Sequence, residues 1–184
     1  GYEVAIWNRS ADKMKPLVER GAVAAASPRA VADAADIVMM CLTAAPAVRE
    51  VAFGAGGIAA ATGAGKRLVD FSSMRPDLTR AWSAELKAKN GMDLIDAPVS
   101  GGVPGAEQGT LAIMAGGEPA DFDAVKGVLA HLSARFTLMG PSGAGQTTKL
   151  VNQIVVSATI MTLAEAFAFA ARAGVDPARI PAAL

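Results

Sequence analysis

Apolar positions along this chain fall into short unbroken runs that alternate with segments in which they return at helical spacing, and Gly, Pro or Ser marks most of the joins. Val4, Ile6 and Trp7 form the first β-prone run, which ends at Asn8-Arg9-Ser10; residues 12–20 then have helical composition and stop at Gly21. Pro16 removes a backbone donor inside that segment, so a late start or a kink is expected there. Ser27-Pro28 matches an N-cap followed by a first helical residue, for a helix over 28–35. The apolar run 37–42 suits a strand buried on both faces, and it is the most buried strand expected. Pro46 opens a helix through Phe53. The pattern then predicts a strand at 68–71, a helix at 77–90 ended by Gly91, strands at 94–97 and 111–115, a helix at 119–132 and a strand at 136–139.

Strands alternating with helices across short turns predict an α/β fold, a doubly wound, Rossmann-like and mostly parallel sheet with helices on both faces. From about Gln146 the texture changes to an Ala-rich, almost uniformly apolar stretch that reaches Ala173 and stops at Gly174. It is expected to form a helix of roughly 28 residues, ~42 Å long, buried nearly all round and joining two domains. The expected division is 1–145, a dinucleotide-binding domain, and 146–184, the long helix and the start of an all-α domain in which Asp176-Pro177 caps a further helix.

Composition supports a folded core and narrows the partners. Of 184 residues, 52% are hydrophobic and 18% charged, which disfavours intrinsic disorder. The 17 Lys and Arg balance 17 Asp and Glu, so no basic field is available to hold a phosphate backbone and nucleic acid is not expected as a partner. Cys41 is alone, which excludes an internal disulfide framework, makes a reducing cytoplasm the natural compartment, and leaves Cys41 to pack as a small hydrophobe. Residues 2–7 resemble a folded strand rather than a cleavable leader. The uncharged stretch 153–164 is interrupted by Gln153, Ser157, Thr159 and Thr162; it looks too short and too polar to span a bilayer, so no membrane is expected.

In a doubly wound sheet, ligands lie outside the carboxyl ends of the strands, and four turns there carry candidate chemistry. In Asn8-Arg9-Ser10, an arginine and a hydroxyl stand where an acid would select NAD, an arrangement suited to a 2′-phosphate, although a solvated arginine beside a cap would look the same. Leu42-Thr43 and Ser72-Ser73 put hydroxyls and backbone groups where a ribose or pyrophosphate would lie; such residues are more often turn formers. The run Asp96-Ala97-Pro98-Val99-Ser100-Gly101-Gly102 combines an acid, a hydroxyl and two glycines whose N–H groups can approach a carboxylate, where the plainer alternative is a flexible loop. The fourth, 143–149, leads into Lys149, with Asn152 and Gln153 at helical spacing beyond it, so the three project together. A lysine near a helix start is normally a solvated charge, but the helix dipole disfavours its ammonium, which suits a group that must release a proton. His131 has no partner at a telling spacing, Trp7, Trp82 and the Met residues suit core filling, and no His and Cys cluster suggests a metal.

At 96–102, at Gly109-Thr110-Leu111 and at 143–153, the sequence resembles the β-hydroxyacid dehydrogenase family, which includes 3-hydroxyisobutyrate dehydrogenase and tartronate semialdehyde reductase, and the likeness covers nearly the whole chain. The resemblance implies that Lys149 is catalytic, that Ser100, Gly101 and Gly102 hold a substrate carboxylate, and that Asn152 or Gln153 helps fix the substrate. It assigns Asn8, Arg9, Ser10, Leu42, Thr43 and Ser73 to the cofactor, NADP or NAD with a lean to NADP. A homo-oligomer acting on a small carboxylate is the expected assembly. The family opens with a strand and a Gly-x-Gly-x-x-Gly turn that do not precede Gly1, and a later Lys and Asp that commonly complete its site are absent, so a fragment inactive by itself is expected.

The expected reaction is hydride transfer between the nicotinamide and C3 of a 3-hydroxy acid or its semialdehyde, with Lys149 passing the proton. Phosphogluconate dehydrogenases resemble the chain but typically carry a His where Val151 stands, imine-reducing relatives usually lack the Lys, and non-catalytic dinucleotide-fold modules have lost it. Lys149 thus favours the hydroxyacid enzyme.

Overall fold

A computed structural model describes residues 1–183. The elements are β1 (Ala5–Ile6), α1 (Lys15–Val18), β2 (Val23–Ala24), α2 (Pro28–Ala34), β3 (Ile37–Met40), α3 (Ala45–Phe53), β4 (Arg67–Asp70), α4 (Pro76–Asn90), β5 (Asp93–Asp96), β6 (Val99–Ser100), α5 (Gly102–Gln108), β7 (Leu111–Gly116), α6 (Pro119–Leu129), β8 (Ser133–Gly140) and α7 (Ala144–Arg172). They divide into two compact units, Gly1–Lys149 and Leu150–Leu184.

In the first unit, β3, β4 and β5 run parallel and in step, Val38 beside Leu68 beside Leu94 and Met40 beside Asp70 beside Asp96. β7 joins antiparallel to β5 at Asp96 and Gly116, pairs antiparallel with β6 and parallel with β8. Alternate side chains serve opposite faces, as the pleat requires. Val38, Met40, Leu68 and Leu94 pack with Ala32, Val48 and Leu86 of α2, α3 and α4, while Val69, Ile95, Ile113 and Ala115 pack with Phe122, Val125 and Leu129 of α6. The result is the α/β layered sheet the pattern predicts, and complete burial of a side chain such as Leu68 contributes about 2 kcal/mol.

Local signals hold where their chemistry is strong. The Ser27 side chain accepts the Ala30 N–H at 3.1 Å, with Pro28 in the first turn where no donor is needed. Before α1 a 3₁₀ turn at Ala11–Met14 precedes Pro16, which then occupies the first α-helical turn, so the proline delays the helix. Elsewhere the structure corrects the sequence reading. The strand at 37–40 is the edge of the six-stranded sheet with only Val38 and Met40 buried, since β1 pairs with β2 in a separate ribbon. Cys41, just past that edge strand, is exposed rather than packed. The glycine-rich stretch after Ser100 is a helix, α5, entered through Gly101 and Gly102 at φ +131° and +61°, a turn that a side chain at either position would strain.

α7 runs unbroken from Ala144 to Arg172, so its first turns belong to the first unit and the remainder to the second. The second unit ends in a 3₁₀ turn at Pro177–Ala182 rather than an α-helix, and the Asp176 side chain accepts the Ala178 N–H as predicted for a cap. α7 is not buried all round: Val151, Ile154, Ile160, Met161 and Phe169 are exposed. By length and composition it is also apolar enough to cross a membrane, with a mean hydropathy of 1.9 in its most apolar window. The estimate from 153–164 fails because apolar character continues past both ends of that stretch, and within it the Thr159 hydroxyl turns back on the helix, donating to the Val155 carbonyl at 2.8 Å.

Candidate active site

β5 ends in Asp96, which is wholly buried at the carboxyl edge of the sheet. Its Oδ1 accepts the Gly143 N–H at 2.7 Å and its Oδ2 the Gln146 N–H at 2.9 Å. These are donors at the start of α7, which a helix leaves without partners of its own, so a carboxylate from the sheet caps the helix. Hydrogen bonds to a charged acceptor of this kind contribute about 1.5–3 kcal/mol. Burial pushes the Asp96 carboxyl above its usual range, against the pull of the Gly143 and Gln146 N–H groups. The approach is close enough to require glycine: a Cβ on Gly145 would lie 2.8 Å from the Asp96 carbonyl oxygen and collide with that of Met114.

A second attachment leads from α7 to the turn after β4. The Gln146 Nε2 donates to the Ser72 carbonyl at 2.7 Å, and its Oε1 accepts the Met74 N–H at 2.9 Å. Ser72 in turn donates its N–H to Asp70 Oδ1 at 2.9 Å and accepts the Leu42 N–H on its Oγ at the same distance. Asp70 Oδ2 is buried without a partner among the described residues. Burial pushes the Asp70 carboxyl up to about 6, the bonds from Ser72 opposing and the neighbouring Asp96 charge adding to the rise.

The register of β3, β4 and β5 aligns three candidate turns along one sheet edge. Leu42 is half-buried with its amide already engaged, while Thr43 and Ser73 are exposed. Ser100 is half-buried at the end of β6, four residues beyond Asp96, and Gly101 and Gly102 are exposed. Lys149 is half-buried, three residues beyond Gln146. Asn8, Arg9 and Ser10 follow β1 and so lie outside the six-stranded sheet. All three are exposed, Asn8 Oδ1 accepts the Ser10 N–H at 2.9 Å, and the Ser10 side chain makes no capping bond, which leaves it and the Arg9 guanidinium available to a phosphate. Asn152 and Gln153 belong to the second unit, where Asn152 donates to Gln153 Oε1 at 3.3 Å. A concavity of about 630 Å³ is lined by Met161, Thr162, Glu165, Ala166 and Phe169 and includes none of the candidate residues. The convergence of strand ends on a charged network is the better guide to chemistry than this open apolar groove.

Sequence reasoning missed Asp70 and gave Gln146 no role. The available signals were an acid closing an otherwise apolar strand and a glutamine among the glycines that open an apolar helix. Their partners lie 50 to 74 residues apart for Gln146, beyond any local pattern.

Comparison with known proteins identifies the family. Residues 1–140 match the NAD binding domain of 6-phosphogluconate dehydrogenase, and residues 143–184 match the NAD-binding family of NADP-dependent 3-hydroxyisobutyrate dehydrogenase. The chain is 43% identical to 2-hydroxy-3-oxopropionate reductase of Escherichia coli (strain K12) over 91% of its own length and 57% of that protein's. It is 38% identical to 2-(hydroxymethyl)glutarate dehydrogenase of Eubacterium barkeri, over 88% of the chain and 53% of that protein. The solved structure of 3-hydroxyisobutyrate dehydrogenase from Mycobacterium tuberculosis with L-serine superposes with a TM-score of 0.89 at 30% identity, covering 96% of this chain and 59% of that one. The chain thus spans somewhat over half the length of these relatives. Its match across both segments makes it a member of the β-hydroxyacid dehydrogenase family.

Proposed function

We propose that this chain carries the cofactor domain and catalytic lysine of a soluble, cytoplasmic, NADP-dependent reductase that interconverts a small 3-hydroxy acid and its semialdehyde. The observation that supports the reading is Asp96: it stands four residues ahead of Ser100 and caps the helix that bears Lys149, so one buried carboxylate ties together the elements that carry both candidate groups. The bound cofactor supplies the hydride. Arg9, with a planar fork of donors, and Ser10 hold its 2′-phosphate, while Asn8 shapes their turn; Leu42, Thr43 and Ser73 line its path along the strand ends. Ser100 and the N–H groups of Gly101 and Gly102 hold the substrate carboxylate, and Asn152 or Gln153 fixes its remaining polar groups. Lys149 gives its proton to the carbonyl oxygen in reduction and recovers it in oxidation.

The domain division proposed is 1–145 for the cofactor domain and 146–184 for the start of an all-helical one. Assembly with copies of itself is proposed as well, and the exposed apolar side chains of α7 support burial against protein. A phosphogluconate substrate is the second reading, because residues 1–140 match a domain named for that dehydrogenase. The 3-hydroxyisobutyrate dehydrogenase match over 143–184, and Val151 within it, favours the small acid.

In the intact enzyme, Lys149→Ala is expected to lower semialdehyde turnover by about 10²- to 10⁴-fold with cofactor binding nearly unchanged. Lys149→Arg should not restore it, since arginine keeps the charge but releases no proton at working pH. Turnover retained in the arginine variant would replace acid–base chemistry by simple electrostatic clamping.

A further inference from the structure

Gln146 has 1% of its surface exposed and lies three residues before Lys149, one helical step away on a shared face of α7. Its backbone N–H is held by Asp96, and its side-chain amide is held by the Ser72 carbonyl and the Met74 N–H, the two backbone groups that flank Ser73. A primary amide suits this seat because it offers one donor and one acceptor to a chain segment presenting the reverse. The two attachments act differently. Asp96 holds the backbone at the helix end through two N–H groups, so its grip stays near the helix backbone. The amide bonds are made by a side chain, farther from the axis, so they add leverage against rotation of the helix, on which the heading of Lys149 depends.

We propose that Gln146 is a positioning residue for the reaction: it locks the roll of α7 to the turn bearing Ser73, so that the lysine ammonium faces the carbonyl oxygen when the cofactor lies across that turn. This rests on Lys149 being the proton donor. The seat of the cofactor and the heading of the proton donor are then coupled through one amide.

The test uses the intact enzyme with Gln146→Leu and Gln146→Glu, each checked by circular dichroism and thermal melting. Gln146→Leu removes both bonds at similar volume and is expected to lower kcat about tenfold or more, with the Michaelis constant for NADPH changed by less than about threefold. Gln146→Glu carries a built-in readout. Its ionised carboxylate still accepts the Met74 N–H but turns an oxygen on the Ser72 carbonyl, whereas the protonated acid donates there and restores both bonds. The groups around it are Asp96 on its backbone, Asp70 behind Ser72, Arg80 of α4 beside Gly143, and Lys149 one step on. The two buried acids hold the new carboxyl toward its neutral form. The kcat of Gln146→Glu relative to wild type should therefore rise as pH falls, while the corresponding ratio for Gln146→Leu stays flat. If Gln146→Leu does not fold, the Glu ratio decides. A pH-independent Glu ratio, or wild-type kcat in a folded Leu variant, overturns the positioning role while an inactive Lys149→Ala keeps the lysine reading. An active Lys149→Ala overturns both.

Discussion

Asp70→Asn tests how the sheet edge carries its buried charge. Asp70 closes β4 without exposure, with one oxygen held by the Ser72 N–H, the other unpartnered among the described residues, and Asp96 beside it in register. Burial raises its carboxyl from 3.8 to about 6. Between those values the folded state binds the proton and the unfolded chain does not, so stability is present at low pH and is lost as pH rises through that window. At about 1.4 kcal/mol per pKa unit, the rise corresponds to roughly 3 kcal/mol of strain from the ionised group at neutral pH. Asparagine keeps the oxygen that accepts from Ser72 and never ionises. Its stability relative to wild type should therefore grow by about 2.5 kcal/mol between pH 4 and pH 8. Urea unfolding followed by tryptophan fluorescence measures it cleanly, because Trp7 and Trp82 both lie in the first unit. Parallel stability curves for the two proteins across that range would refute the buried-charge argument.

Gly145→Ala drives a Cβ against the Asp96 and Met114 carbonyl oxygens and should cost about 1–3 kcal/mol, displacing the start of α7 and lowering turnover with it; an unchanged melting temperature would mean that the helix start yields freely. Arg9→Ala should raise the Michaelis constant for NADPH about tenfold or more while leaving that for NADH nearly unchanged, as expected for loss of a charge-assisted bond to the 2′-phosphate. Equal effects on the two cofactors would remove Arg9 from that role.

Much of the architecture was legible because each signal was local. Ser27-Pro28 specifies its own cap, Gly91 terminates α4 in the left-handed conformation, and the apolar runs locate β3, β4, β5 and β7 to within a few residues. What escaped had no local signature. β2 is two residues long, too short to show a period, and the pairing of β1 with it in a separate ribbon leaves β3 as an edge. α5 hides behind Gly101 and Gly102, whose left-handed turn looks like a loop in the sequence. An apolar helix looks alike whether its own chain covers it or something else does, so the exposure of α7 was illegible. At the candidate site, the residue types of the Asp96 turn and of Lys149 stood out in the sequence. The bonds joining them did not, since they depend on which strand ends the fold aligns.

Those bonds also set an order of assembly. The contacts that pin α7 close loops of 47 and 50 residues from Asp96 and of 72 and 74 residues from the β4 turn. Loop-closure entropy rises only slowly with length, by about 0.6 kcal/mol per doubling, but contacts this distant wait until the nearer ones have formed. Along a chain made from its N-terminus, β3, β4 and β5 can pair while Asp70 and Asp96 still face water. The helix that caps Asp96 arrives only after Gln146 has been synthesised. Until then Asp96 lacks the N–H groups of Gly143 and Gln146, and the turn after β4 lacks the Gln146 amide that bridges Ser72 and Met74.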